Sequence, residues 1–120
     1  MEQLLKERLE ILKGAEQIGE DIKNAVIDFA EDFEKKYSLT MTEENAAMLI
    51  THLAMALARI KKGEKVDEPN EFVLNEVKQT EIYDELPEFY EKIEGKLNLS
   101  IPDSEKGFIA IHVCTLMSKF

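Results

Sequence analysis

Apolar residues are densest between residues 46 and 60, where the chain reads AAMLITHLAMALARI. Twelve of these fifteen residues are apolar, and the run is rich in the strong helix formers Ala, Leu and Met, with neither Gly nor Pro. A helix that is apolar on nearly all sides has to be buried on most of them. The pattern therefore predicts a buried central helix that begins after a Thr42 cap and ends near Lys62, with Gly63 as the left-handed terminating residue.

Amphipathic patterns on both sides of this run predict further helices and no strand. The helices predicted after residue 19 cover about residues 20–36, 42–62, 72–80, 87–98 and 103–117. Residues 2–13 show similar helical spacing, although Gly14 and Gly19 weaken any continuous helix there. The predicted fold is an all-α arrangement of five helices in one bundle, with an extra N-terminal helix as the open alternative.

The length and composition fit one small folded domain. The chain has 120 residues, 44% of them hydrophobic and 33% charged, with no internal repeat or low-complexity tail. We divide it into an N-terminal helical extension, residues 1–19, and a single domain, residues 20–120. The first residues lack the apolar core of a signal peptide, and the longest apolar run is too short to span a bilayer. Cys114 stands alone, which fits a reducing cytoplasm.

The charge of the chain argues against nucleic acid as a direct partner. There are 25 acidic and 15 basic residues, a formal net charge of −10, and no basic stripe that could neutralise phosphates. Acidic residues are concentrated between residues 71 and 105, where ten of them accompany three lysines. We expect this region to be a solvated surface, and the functional alternative is a docking surface for a basic partner.

The two histidines of the chain occupy similar positions. His52 lies at the middle of the predicted central helix and His112 at the middle of the last one. Each has a charged residue seven positions away on its own helix, Arg59 after His52 and Glu105 before His112. Seven residues make almost two turns, and side chains tilt toward the N-terminus, so Arg59 approaches His52 and His112 approaches Glu105. We therefore expect Glu105 to accept a hydrogen bond from the His112 ring.

Several roles for these histidines stay open when the residues are considered alone. Each could be a core histidine with one satisfied ring nitrogen. A metal site would need carboxylate help, and no HxxxH or HxxE spacing supplies it. A nucleophilic site with Cys114 is disfavoured, because residues two apart on a helix point in different directions.

Two segments around the histidines resemble the two signatures of the PTS regulation domain, or PRD. Residues 51–64, THLAMALARIKKGE, are similar to the first, in which a histidine opens an H-x6-R pattern followed by a basic pair and a glycine. Residues 101–116, IPDSEKGFIAIHVCTL, are similar to the second, with a proline, an acid three residues later, an aromatic-aliphatic run and a histidine. The sixty-residue spacing of the histidines also matches, and the resemblance covers about residues 20–117.

This resemblance implies a five-helix bundle, usually dimeric, that regulates through phosphorylation. PRD histidines accept phosphoryl groups from HPr or from sugar-specific enzyme II components, which makes His52 and His112 the expected phosphoacceptors. Arg59 matches the family's arginine and Glu105 its acid, and we expect both to support the phosphate and the histidines. We expect no catalytic residues, cofactor or metal, and the expected partners are a second copy of the chain, the phosphoryl donors and a regulatory protein.

The organisation of the sequence differs from that of the large PRD regulators. Those proteins carry tandem PRDs behind an RNA-binding or helix-turn-helix domain, whereas this sequence shows one PRD copy and no basic effector domain. It therefore resembles the small stand-alone PRD proteins, and we expect a cytoplasmic module that acts through protein contacts in transcriptional or metabolic regulation. The alternative function is a structural helical dimer or adaptor whose histidines are not phosphorylated.

Overall fold

The computed structural model describes residues 1–65 and 67–120, which form seven α-helices and no strand. The helices are α1 (Gln3–Gly14), α2 (Glu20–Tyr37), α3 (Glu43–Lys61), α4 (Glu71–Lys78), α5 (Glu81–Glu85), α6 (Pro87–Leu97) and α7 (Asp103–Met117). The predicted all-α bundle is confirmed, and α1 is the extra N-terminal helix that the sequence allows as an alternative. The hydrophobic pattern did not predict α5, because five residues are too few to establish a helical period.

The central helix of the bundle is α3, as its apolar sequence predicted. Helices α1, α2 and α7 pack against it, while α6 packs on α2 and α4 packs on α7. Ile50, Ala54 and Leu57 of α3 are completely buried. None of the helices in the described part of the chain, α3 included, combines the length and apolar character needed to cross a membrane.

Both ends of α3 have well-defined caps. Thr42 Oγ1 accepts a hydrogen bond from the Asn45 N–H, and Asn45 Oδ1 accepts one from the Thr42 N–H, which makes a capping box. At the other end Gly63 has a φ of 74°, and the following N–H, that of Glu64, donates to the Arg59 carbonyl. This closure is a Schellman motif, and it agrees with the predicted role of Gly63.

Gly63→Ala is expected to lower the free energy of unfolding by about 1 kcal/mol, because a Cβ is disfavoured in the left-handed region. Gly95→Ala is the matched control. Gly95 lies inside α6 with open space around the position of a Cβ, so alanine there should stabilise by roughly 0.5–1 kcal/mol. Urea denaturation of both variants measures the two effects, and changes of the same sign would contradict this account of the α3 terminus.

The N-terminal helix contributes to the same core as the rest of the chain. Leu5 and Leu9 of α1 are completely buried among side chains of the other helices. Arg8 Nε donates to both carboxylate oxygens of Glu43 at 3.1 Å, which ties α1 to the first turn of α3. The boundary at residue 19 stays a prediction, and in the structure α1 packs directly on the central helix.

Candidate functional site

The two histidines, sixty residues apart in the sequence, stack on each other in the structure. Their ring centroids are 4.4 Å apart, and the ring planes are inclined by only 20°. His52 projects from α3 as an exposed side chain, whereas His112 on α7 is partly buried. Because α3 and α7 pack side by side, the stack lies across the seam between them. Packing therefore brings together two residues that the sequence could only place on separate helices.

A second contact joins the same two helices near the end of α3. Arg59 Nη2 lies 3.4 Å from each carboxylate oxygen of Glu105. His52 faces His112 while Arg59 faces Glu105, so α3 and α7 run antiparallel. The two contacts are about 10 Å apart along the helices, since each pair of positions is separated by seven residues. Arg59 and Glu105 thus each pair with a residue on the opposite helix, and neither pairs with the histidine on its own helix.

The Glu105 carboxylate is buried and depends on Arg59 for compensation. The side chain of Glu105 is 3% exposed and that of Arg59 is 33% exposed. The first turn of α7 also favours a negative charge there. The expected hydrogen bond from His112 to Glu105 is replaced by the contact with Arg59. Arg59 Nε is itself buried without a hydrogen-bond partner among the described residues, so the guanidinium keeps unused donor capacity.

A cleft of about 570 Å³ opens between α3 and α7, with Lys65 and Asp67 beside it. Its apolar lining comes from Leu49, Leu53, Ala56, Phe108 and Ile109, and its polar groups are His52, Arg59, Lys65, Asp67, Glu105 and His112. All four residues that the sequence suggested for the site therefore line one cavity. With both histidines neutral, the two cations and two anions of this described lining cancel, so the cleft has no net formal charge.

Sequence reasoning missed the loop side of this cleft, which contributes Lys65 and Asp67. These residues lie in a polar segment without periodicity, so nothing local connects them to the histidines. One signal was available at Gly107, since a glycine inside a helix often indicates a close packing contact. A Cβ at Gly107 would lie 2.8 Å from Pro69 Cγ, so the glycine allows this loop to lie against α7.

Burial lowers the pKa of His112, and the neighbouring His52 ring lowers it further. Both effects disfavour the protonated ring, the first through lost hydration and the second through repulsion between two cations. A ring that stays neutral near pH 7 keeps one nitrogen lone pair free. His112 is therefore held in the form that can act as a nucleophile.

We expect His112 to make the stability of the fold depend on pH. Its pKa is lower in the folded chain than the value of about 6.5 expected when unfolded, so the unfolded chain binds more protons. The contribution of His112 to the free energy of unfolding is complete above about pH 6.5. It is lost as the pH falls through the lowered pKa of this residue in the folded chain. Urea unfolding of the wild type and of His112→Gln should show a stability difference that shrinks toward acid. A difference that stays constant would contradict this assignment.

Taken together, the antiparallel helices, the stacked histidines and the arginine–carboxylate contact define an all-α module with a histidine-pair cleft. The family model described as the PRD domain matches residues 27–115, well over half of the chain. The chain belongs to the PRD domain family.

A curated relative aligns with most of the chain, and its description states no function. The protein described as "Uncharacterized protein YhfY" from Escherichia coli (strain K12) is 24% identical over 105 residues, which cover 88% of each chain. No solved structure gives a significant match.

Proposed function

We propose that this chain is a regulatory module of a bacterial sugar phosphotransferase pathway that accepts phosphoryl groups on His52 or His112. The observation that carries the proposal is the stacking of these two rings at one cleft in a member of the PRD family. HPr or enzyme II components are the proposed donors, and the module acts through protein–protein contacts in the cytoplasm where such donors work. It turns over no substrate of its own, so the proposal places it outside the enzymes.

The transfer requires little from the accepting ring, because the phosphorus arrives on an activated donor histidine. An unprotonated ring nitrogen of the acceptor forms a bond to phosphorus, while the bond from phosphorus to the donor nitrogen breaks. The electron pair of the broken bond returns to the donor ring, and each ring keeps the proton on its other nitrogen. The exposure of His52 and the lowered pKa of His112 both suit this role.

Arg59 is the proposed partner for the new charge. A phosphoryl group carries about two negative charges near neutral pH, and a guanidinium can bind it with two parallel hydrogen bonds. Arg59 lines the cleft that contains both rings, and its contact with Glu105 is long. We therefore propose that the guanidinium turns from Glu105 toward the phosphoryl group.

This exchange would change the packing of α7 against α3. Glu105 would remain buried in the first turn of α7 with less compensation for its charge, which is energetically costly. A small movement of that turn toward solvent relieves the cost and alters the surface around the cleft. Phosphorylation would then favour one of two helix arrangements, which is how a local charge becomes a signal to a partner.

The test is incubation of the protein with phosphorylated HPr and, separately, with phosphorylated enzyme II fragments, followed by mass mapping under alkaline conditions. We expect label on His52 or His112 and none in the doubly substituted His52→Gln, His112→Gln chain. Absence of label on both histidines with all donors would refute the proposal. The alternative, an adaptor with unmodified histidines, predicts that the double variant keeps its partner binding and its sugar response.

The proposed assembly is a homodimer formed through the outer face of α1. Leu4 and Ile11, 54% and 71% exposed, lie seven residues apart on this helix and line the same shallow pocket of about 290 Å³. Large apolar side chains exposed together are typical of interaction surfaces. The PRD resemblance implies a dimer but begins at about residue 20, so the choice of α1 for the interface rests on its exposed apolar side chains.

Ile11→Glu is expected to weaken this dimer at least about tenfold, since it places a charge within an apolar contact. Phe72→Glu is the matched control, because Phe72 is 72% exposed but lies on α4. Sedimentation velocity over a concentration series gives the dissociation constants of the wild type and both variants. A monomeric wild type, or equal effects of the two substitutions, would contradict the assignment of the interface to α1.

A further inference from the structure

We propose that the stacked histidines form a one-phosphoryl site, in which a group on either ring slows phosphorylation of the other at least about tenfold. The inference rests on the proposed phosphorylation and adds its stoichiometry. Each chain would then carry one phosphoryl group at a time, on either His52 or His112.

The spacing of the rings is the first reason. The ring centroids are 4.4 Å apart and the ring planes are inclined by 20°, so each nitrogen of one ring lies close to the other ring. Two phosphoryl groups on such rings would be adjacent, each with about two negative charges. The distance between the ring centroids is shorter than the screening length of about 8 Å at physiological salt, so salt screens the repulsion between the two groups only in part.

The charge of the cleft lining is the second reason. Among the described lining residues, Arg59 and Lys65 are the cations, and Asp67 and Glu105 offset them. One phosphoryl group already gives this lining a net charge of about −2, and a second gives about −4. Arg59 is the one guanidinium among these described residues, so the second group finds no equivalent partner. The described lining therefore offers one guanidinium to a single phosphoryl group and no equivalent partner to a second.

The orientation of the rings also excludes direct transfer between them while they remain stacked. Displacement at phosphorus requires the attacking and leaving nitrogens to lie roughly in line with it. The lone pairs of imidazole nitrogens lie in the ring plane, and the two planes here are nearly parallel, so the lone pairs do not face each other. Each histidine must therefore be charged from outside, and neither relays its group to the other.

Potassium phosphoramidate is the donor of choice for testing this inference, because it needs no protein–protein recognition. A ring nitrogen bonds to phosphorus, the phosphorus–nitrogen bond of the donor breaks, and ammonia leaves. Intact-mass measurements at alkaline pH count the chains with none, one and two groups over time. The wild type is compared with His52→Gln and with His112→Gln, each of which has a single acceptor.

We expect the wild type to accumulate singly modified chains. The histidine that is phosphorylated second should react at least about tenfold more slowly than the same histidine does in the variant that lacks the other ring. In 1 M salt, where the screening length is about 3 Å, this gap should narrow. Equal first and second rates would overturn the proposal. It is also overturned if His112 takes no group in His52→Gln, because burial and not repulsion would then limit the count.

Three further outcomes of the labelling experiments also test the one-phosphoryl site. A gap that persists unchanged in 1 M salt would assign the effect to packing and overturn the electrostatic proposal. Failure of phosphoramidate to label any chain would show that neither ring is accessible, which overturns it as well. If protein donors give no label while phosphoramidate gives the expected pattern, the proposed function fails and the one-phosphoryl site stands.

Discussion

Arg59→Met is expected to lower the free energy of unfolding by about 2–3 kcal/mol at neutral pH. Methionine keeps much of the packing volume but leaves the Glu105 carboxylate buried without its cation. Removal of one partner from a fully buried ion pair typically costs about 3–5 kcal/mol, and Arg59 is partly exposed, so we expect a smaller value. Urea denaturation monitored by circular dichroism provides the measurement.

The matched control is Glu105→Gln, made alone and together with Arg59→Met. A neutral amide needs no cation, so the double variant should be more stable than Arg59→Met by about 1–2 kcal/mol. The four chains form a double-mutant cycle that isolates the coupling between the two side chains. Additive effects, with no coupling beyond about 0.5 kcal/mol, would show that the Arg59–Glu105 contact does not compensate the buried charge.

Leu53→Ala is expected to destabilise the fold by about 2–5 kcal/mol. Leu53 follows His52 on α3, is 1% exposed, and lines the apolar part of the cleft. Alanine removes buried surface and leaves a cavity against the rigid central helix, so both the transfer cost and the cavity cost apply. Thermal and urea unfolding should both show the loss.

Met48→Ala serves as the control for this prediction, because Met48 lies on the same helix as Leu53 but is 64% exposed. Its effect on the free energy of unfolding should stay within about 0.5 kcal/mol. A Leu53→Ala effect as small as that of Met48→Ala would contradict the burial of Leu53 in the core.

The positions of the helices followed closely from local chemistry. The predicted central helix covers residues 42–62, and α3 spans Glu43–Lys61. The ends agree to within one residue because a capping box and a terminating glycine act within a few residues of the ends they define. The short α5 was missed because it has no period of its own, and packing against α4 and α6 stabilises it.

The pairing within the site could not be predicted in the same way. Helical spacing placed Arg59 near His52 and Glu105 near His112, each within its own helix. The antiparallel packing of α3 and α7 offers different partners, so the histidines stack together and Arg59 reaches Glu105 instead. A buried carboxylate takes the strongest available cation, and that choice depends on which helix lies opposite.

The sequence by itself determined most of the helices, the buried character of α3 and the identity of four polar side chains that line the cleft. Those properties depend on periodicity, caps and residue type, which act over one or two helical turns. The tertiary structure alone decided that the two rings stack, that Arg59 pairs with a carboxylate on the opposite helix and that Lys65 and Asp67 line the cleft. The ring contact and the arginine–carboxylate contact join residues 60 and 46 positions apart, and only the packing of whole helices sets the distances between them.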